Sequence, residues 1–147
     1  MNIGEPAILT RTFFEGSADE VAKNLIGVSI FVNGIGGAIV ETEAYDEGDP
    51  ASHCSDGEPT ALNESMFLAG GHAYVCPGRH MLNLNLTCGP RGFGSAILIR
   101  ALRPSPDSVE VMTLRAQEVC ALSVDKSAIS LQRSWEFSSG IGYRLQA

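Results

Sequence analysis

Apolar and polar positions alternate along the chain in two rhythms. In SADEVAKNLIG, Ala18, Val21, Ala22, Leu25 and Ile26 recur at helical spacing, so one face is apolar. Ser17 with Glu20 fits a capping box, and Gly27 is a natural stop. The rhythm then changes to a period of two. Val28 to Val32 is β-rich, Asn33 to Gly37 (NGIGG) is a turn, and Ala38 to Ala44 returns as a second strand, which predicts a hairpin.

Asp46 to Leu62 is polar and carries Gly48, Pro50, Gly57 and Pro59, so it reads as a loop. Met66-Phe67-Leu68 is a short apolar patch. His72 to Cys76 is a short strand, interrupted by Pro77-Gly78. His80 to Cys88 alternates again, Gly89 to Gly94 turns, and Ser95 to Leu102 (SAILIRAL) is the most apolar strand. After the breaker Pro104-Ser105-Pro106, Asp107 or Ser108 can cap a helix with a stripe of Val109, Met112, Ala116, Val119 and Cys120. From Ser123 the tail is poorly patterned, with Trp135 and Phe137 as its large anchors. Hairpins outnumber βαβ units. The expected fold is a single α+β domain with a mainly antiparallel sheet.

The stretch with the most chemistry is Ile39 to His53, IVETEAYDEGDPASH. Alternate side chains of a strand share a face. Glu41, Glu43 and Tyr45 therefore lie on one side, and Val40, Thr42 and Ala44 on the other. With the apolar side inward, carboxylates and an aromatic ring project together, which suits water activation beside a flat, stackable substrate. Acids at strand ends are more often simply solvated. Arg100 is the second informative residue, because its neighbours in SAILIRAL are apolar. A guanidinium keeps its charge, and burying it unpaired is costly. It should reach a carboxylate, a phosphate or a cleft, and Glu43 is the obvious partner. The plainer alternative is that Arg100 marks where the strand leaves the core.

Composition changes this picture only in part. At 147 residues, with 44% hydrophobic and 18% charged residues, the chain is long enough for one real core. A net charge of -7 and a pI near 4.8 do not advertise nucleic-acid binding, so any such surface must be a local patch. No signal peptide or membrane span is visible, and a cytoplasmic setting with Cys54, Cys76, Cys88 and Cys120 as thiols is expected. His53, Cys54, His72, Cys76, His80 and Cys88 invite a metal reading, but no CxxC pair occurs and no metal is expected. GIGG and GPRGFG lack phosphate-loop spacing and read as turns.

Four pieces in order carry a resemblance: FFEGSADEVAKNLIGVSI, AIVETEAYDEGDPASH, MFLAGGHAYV and SAILIRALRP. From about Phe13 to Leu114 the chain resembles the alkyladenine (3-methyladenine) DNA glycosylase family. The resemblance implies a single compact domain with a curved, mainly antiparallel sheet and a few flanking helices, working as a monomer without cofactor. It implies a DNA repair activity: hydrolysis of the N-glycosidic bond of alkylated, and by extension deaminated, purines flipped out of double-stranded DNA. Glu43 resembles the general base, and Arg100 the arginine that helps hold the water and the carboxylate. Tyr45 and His53 resemble the pocket walls, one stacking on the base and the other contacting it. The physics is consistent. A base inside a duplex must be flipped to be reached. Cleavage builds positive charge on the sugar, which a carboxylate stabilises while activating water. An alkylated purine already carries positive charge, so no acid partner is needed.

The chain also departs from the pattern. Where the family has further tyrosines, one of them a wedge into DNA, this sequence has Cys76-Pro77-Gly78-Arg79-His80, so Pro77, Arg79 or His80 is the candidate substitute. The family's base-screening asparagine has two candidates, Asn83 and Asn85. The stretch after Leu114 does not match, which predicts a shortened C-terminal wall. These departures leave a catalytically impaired DNA-binding homologue as the alternative.

Overall fold

The computed structural model describes residues 8–77 and 82–109, together with the backbone path of 129–133. Helix α1 (Ala18–Leu25) begins at the expected capping box. The Ser17 hydroxyl accepts from the Glu20 amide, and the Glu20 carboxylate accepts from the Ser17 amide at 3.1 Å. Its apolar face, Val21, Ala22 and Leu25, is sealed from solvent. Each such Val or Leu contributes about 1.5–3 kcal/mol relative to exposure. Gly27 then turns the chain with φ +86°.

The strands are β1 (Val28–Val32), β2 (Ile35–Asp46), β3 (Ala73–Pro77), β4 (Leu82–Thr87), β5 (Ser95–Pro104) and β6 (Ile129–Arg133). They form one sheet in the order β3-β4-β5-β2-β1-β6, with each pair antiparallel. This is the α+β architecture expected from the pattern. The predicted hairpin is tighter than its glycines suggest. Only Asn33 and Gly34, both at positive φ, make the turn, and Val32 already pairs with Ile35. Gly36 and Gly37 belong to β2. A Cβ on Gly36 would strike the carbonyl of Ile30, and one on Gly37 that of Arg103. Glycine is needed there for strand packing rather than for turning.

The long β2–β5 ladder contains two register shifts. One leaves Val40 without a partner, between the pairs Ile39↔Leu102 and Glu41↔Ala101. The other leaves Arg100 without one, between Glu41↔Ala101 and Thr42↔Ile99. Such bulges bend the strand and re-aim side chains. They also correct the simple alternation. Ile39, rather than Val40, continues the core face with Thr42 and Ala44.

The sheet separates two apolar layers. On the α1 side, Ile39, Leu86 and Ile97 pack with Phe14, Val21 and Leu25. Thr42 donates its hydroxyl to the carbonyl of Ala22 at 3.1 Å, fastening β2 to α1. On the other side lies a smaller cluster of Cys54, Met66, Phe67, Tyr74, Cys76 and Ala96, under the loop that follows β2. β6 was not expected, since it comes from the poorly patterned tail. Of the helix expected beyond Asp107, all but the start lies outside the described residues, as do Arg79 and His80.

Candidate active site

One cross-strand row organises the face under the loop. Tyr74 on β3 pairs with Asn85 on β4, Asn85 with Leu98 on β5, and Leu98 with Glu43 on β2. Residues two positions away share that face, which adds Cys76, Asn83, Ala96 and Tyr45. The row's outer members carry the large polar side chains and its middle carries Leu98, so a hollow forms over the centre of the sheet. It holds about 100 Å³, with Leu98, Asn85, Cys76 and Asn83 on the sheet side and Tyr45, Tyr74, His53 and Met66 among its walls.

Glu43 is the most deeply placed charge of this face, with only 3% of its surface exposed. Two groups hold its carboxylate. The Tyr45 hydroxyl donates to Oε2 at 2.7 Å. Nε of Arg100 lies 3.5 Å from Oε1, an ion pair longer than a short hydrogen bond. Strand geometry makes the first contact possible, since residues two apart lean the same way. Arg100 lies two residues beyond Leu98, the cross-strand partner of Glu43, so the same alternation brings it to that face for the second. The burial of Tyr45, and then its bond to Glu43, push its phenol up to about 12. It therefore remains a hydrogen-bond donor throughout the neutral range. Arg100 is about half exposed, so the pair is sealed on the protein side and open on the other. Glu43 and Arg100 do not border the hollow. Tyr45 stands between, its ring on the hollow and its hydroxyl on the carboxylate.

His53 reaches the same hollow from the loop. Its Nδ1 is 2.8 Å from the Tyr74 hydroxyl, and the two rings meet edge to face at 6.2 Å. Burial, then the neighbouring sulfur of Cys76, raise the Tyr74 phenol well above its ordinary value. The loop that presents His53 is fixed at several points. Asn63 Nδ2 donates to the His53 carbonyl at 2.7 Å. The amide of Gly94 donates to Glu47 Oε1 at 2.7 Å, and Cys54 Sγ donates to the Gly94 carbonyl at 3.1 Å. Burial raises the Cys54 thiol, keeping it protonated for that role.

Tyr45, His53, Asn83 and Asn85 thus meet at one hollow, with Glu43 and Arg100 joined beside it. Sequence reasoning did not single out Tyr74, Cys76 or Leu98 as members. The alternation of Tyr74 with Cys76, facing Asn83 and Asn85 across a hairpin, is the signal that marks them. Of the histidines and cysteines considered for a metal, His80 lies outside the described residues, and His72 and Cys88 are bonded elsewhere. His72 Nδ1 is 2.7 Å from the Ala69 carbonyl, and Cys88 is 2.8 Å from the Ser95 hydroxyl. Among the described residues no three potential ligands converge. A second, wider cleft near the start of α1 is bordered by Asp19, Asp46 and Asp49. Those carboxylates are engaged, by Lys23 and by the amides of Gly48 and Ala51.

A single antiparallel sheet thus holds one buried carboxylate beside an aromatic-walled hollow. The family model described as "Methylpurine-DNA glycosylase (MPG)" matches residues 12–131, and the chain belongs to that family. The match extends past the Leu114 limit of the resemblance. A Nitrosospira multiformis protein, named as a candidate 3-methyladenine DNA glycosylase, is 47% identical over 106 residues. The matched stretch covers 71% of this chain and 52% of that protein. A Rhodopseudomonas palustris protein with the same name is 50% identical over 67% of this chain and 48% of its own length. One from Granulibacter bethesdensis is 49% identical over 70% of this chain and 48% of its own. The chain spans about half the length of the curated relatives it matches. No helix among the described residues is long and apolar enough to cross a membrane.

Proposed function

We propose that the chain is a DNA repair glycosylase that hydrolyses the N-glycosidic bond of alkylated purines in double-stranded DNA. The observation that carries this reading is the buried carboxylate of Glu43, held by Tyr45 and Arg100 beside a hollow walled by aromatic rings. A flipped base enters the hollow and stacks on Tyr45, with His53 contacting it from the loop. The sugar remains at the mouth, outside the base pocket. A carboxylate that acts on the sugar carbon therefore belongs beside the hollow rather than within it. Glu43 accepts a proton from water as that water attacks C1′, and its charge balances the cation developing on the sugar. Arg100 and Tyr45 keep the carboxylate aimed. A methylated purine departs as a neutral base and needs no acid, whereas hypoxanthine, neutral before cleavage, is the harder substrate.

The protein works as a monomer on a flipped nucleotide, alongside the DNA in the cytoplasm. The test is to incubate the purified chain with duplex DNA containing 3-methyladenine and to measure free base and abasic sites together. Release by wild type that Glu43→Gln lowers by roughly 10²–10⁴-fold supports the reading. Tight binding to the lesion with no release would favour the impaired homologue. Cys76 and Pro77 stand where that alternative expects aromatic contacts to be lost.

A further inference from the structure

His53 and Met66 border the hollow from the loop side, and one buried residue between them in sequence ties the two together. Asn63 is 5% exposed and does not border the hollow itself. Its Nδ2 donates to the His53 carbonyl at 2.7 Å and to the Glu58 carbonyl at 3.4 Å. Its Oδ1 accepts from the amide and the hydroxyl of Thr60. Acceptors at one end and donors at the other fix which end of the amide is which. These contacts use every proton and lone pair that the amide has. The backbone carbonyl of Asn63 accepts from the Met66 amide at 2.8 Å, which opens the short 3-10 turn Glu64–Phe67. His53 is itself exposed, so packing does not hold it in place and hydrogen bonds must. Tyr74 holds its ring at 2.8 Å, and Asn63 holds its carbonyl.

We infer that Asn63 is a positioning residue for base binding: it sets the spacing between His53 and Met66 and so holds the His53 imidazole where a purine enters. This rests on the reading of the hollow as a purine pocket and deepens it. The two bonds to His53 grip opposite ends of one residue, its backbone and its ring. Without the Asn63 donor, the carbonyls of His53 and Glu58 must turn toward water, and the loop turns with them. The base then feels the change through the imidazole. Asn63→Asp isolates the donor end of the amide. It keeps the shape and the acceptor contacts with Thr60, but sets an oxygen against the two carbonyls.

The test is equilibrium binding of free 3-methyladenine to wild type, Asn63→Asp, His53→Ala and the double variant. Asn63→Asp should weaken binding by about fivefold, the worth of one hydrogen bond. In the His53→Ala background the same change should cost less than about twofold, because the ring it positions is gone. An equal loss in both backgrounds, or none in either, overturns the inference, since a brace that only stabilises the loop acts whether or not the ring is there. Histidine ring signals in NMR give a second readout. Those of His53 should move in Asn63→Asp while those of His72 stay, and unmoved His53 signals also overturn the inference. Where the buried carboxylate prevents folding, Asn63→Ala takes its place. If that variant fails as well, wild type decides: the side-chain amide signals of Asn63 should shift as the base is added, although Asn63 does not border the hollow. Unshifted signals contradict the assignment. A wild type that binds the base but releases no methylated purine from DNA refutes the glycosylase reading alone. One that binds no base ends the pocket reading and this inference together.

Discussion

Glu43 is aimed by one neighbour on its own strand and one on the next, and these two contacts behave differently when removed. Arg100→Leu deletes the cation while leaving the Tyr45 bond. Release of 3-methyladenine should fall by roughly ten- to hundredfold, the range set by losing one interaction with a charged group. The loss should appear in kcat more than in KM, because Arg100 does not border the base pocket. Steady-state kinetics of the variant would show this, and unchanged kcat would remove Arg100 from the mechanism. Tyr45 makes a different prediction through its proton. Its phenol lies near 12 in the folded chain, against an ordinary value near 10 when unfolded. The neutral form is thus favoured by folding. That contribution is fully present below pH 10 and is lost as pH rises from 10 through 12. Alkaline denaturation should show wild type losing stability in that window faster than Tyr45→Phe, which has no proton there to lose. Parallel losses would contradict the assignment. At this scale much was legible in advance. Arg100 stood out because a charge among apolar neighbours needs a partner, and Glu43 because it ends another strand, whereas the pocket roles of Tyr45 and His53 came from the family resemblance. Tyr74 did not stand out, because its role depends on where the long loop after β2 brings His53, and no local pattern encodes that.

At the scale of elements, the sequence pattern located α1 and the five strands before the tail to within a few residues. It mistook the glycines at the β1–β2 corner. NGIGG reads as five residues of turn, but two suffice, and Gly36 and Gly37 are strand residues pressed against neighbouring backbone. Gly36→Ala should therefore destabilise the fold by about 1–3 kcal/mol, as overpacking does. Gly34→Ala strains a positive φ but meets open space. Urea midpoints of the two variants distinguish the causes, with Gly36→Ala expected to be the more damaging. The bulges at Val40 and Arg100 were equally invisible, because a period of two carries no mark where one residue slips. β6 escaped notice because its strand period is buried in a tail without turn signals, and only pairing with β1 reveals it.

At the scale of the whole molecule, the sheet keeps stability and chemistry on opposite faces. The α1 side carries the larger core, while the loop side carries the smaller cluster and the hollow. The acidic balance then has a consequence for DNA. With ten Lys and Arg against seventeen Asp and Glu, the chain can set few cations against phosphates. The salt dependence of duplex binding should be shallow, corresponding to no more than about four neutralised phosphates in a plot of log K against log salt. A steeper slope would reveal a basic surface that the composition does not suggest.

The most direct measurement concerns the carboxylate itself. Single-turnover release of 3-methyladenine from duplex DNA should be compared for wild type and Glu43→Gln, with lesion binding measured in parallel. The expected result is binding within a few-fold and a rate lower by roughly 10²–10⁴-fold in the variant. Equal rates in the two proteins would contradict a role for Glu43 as the base that activates water.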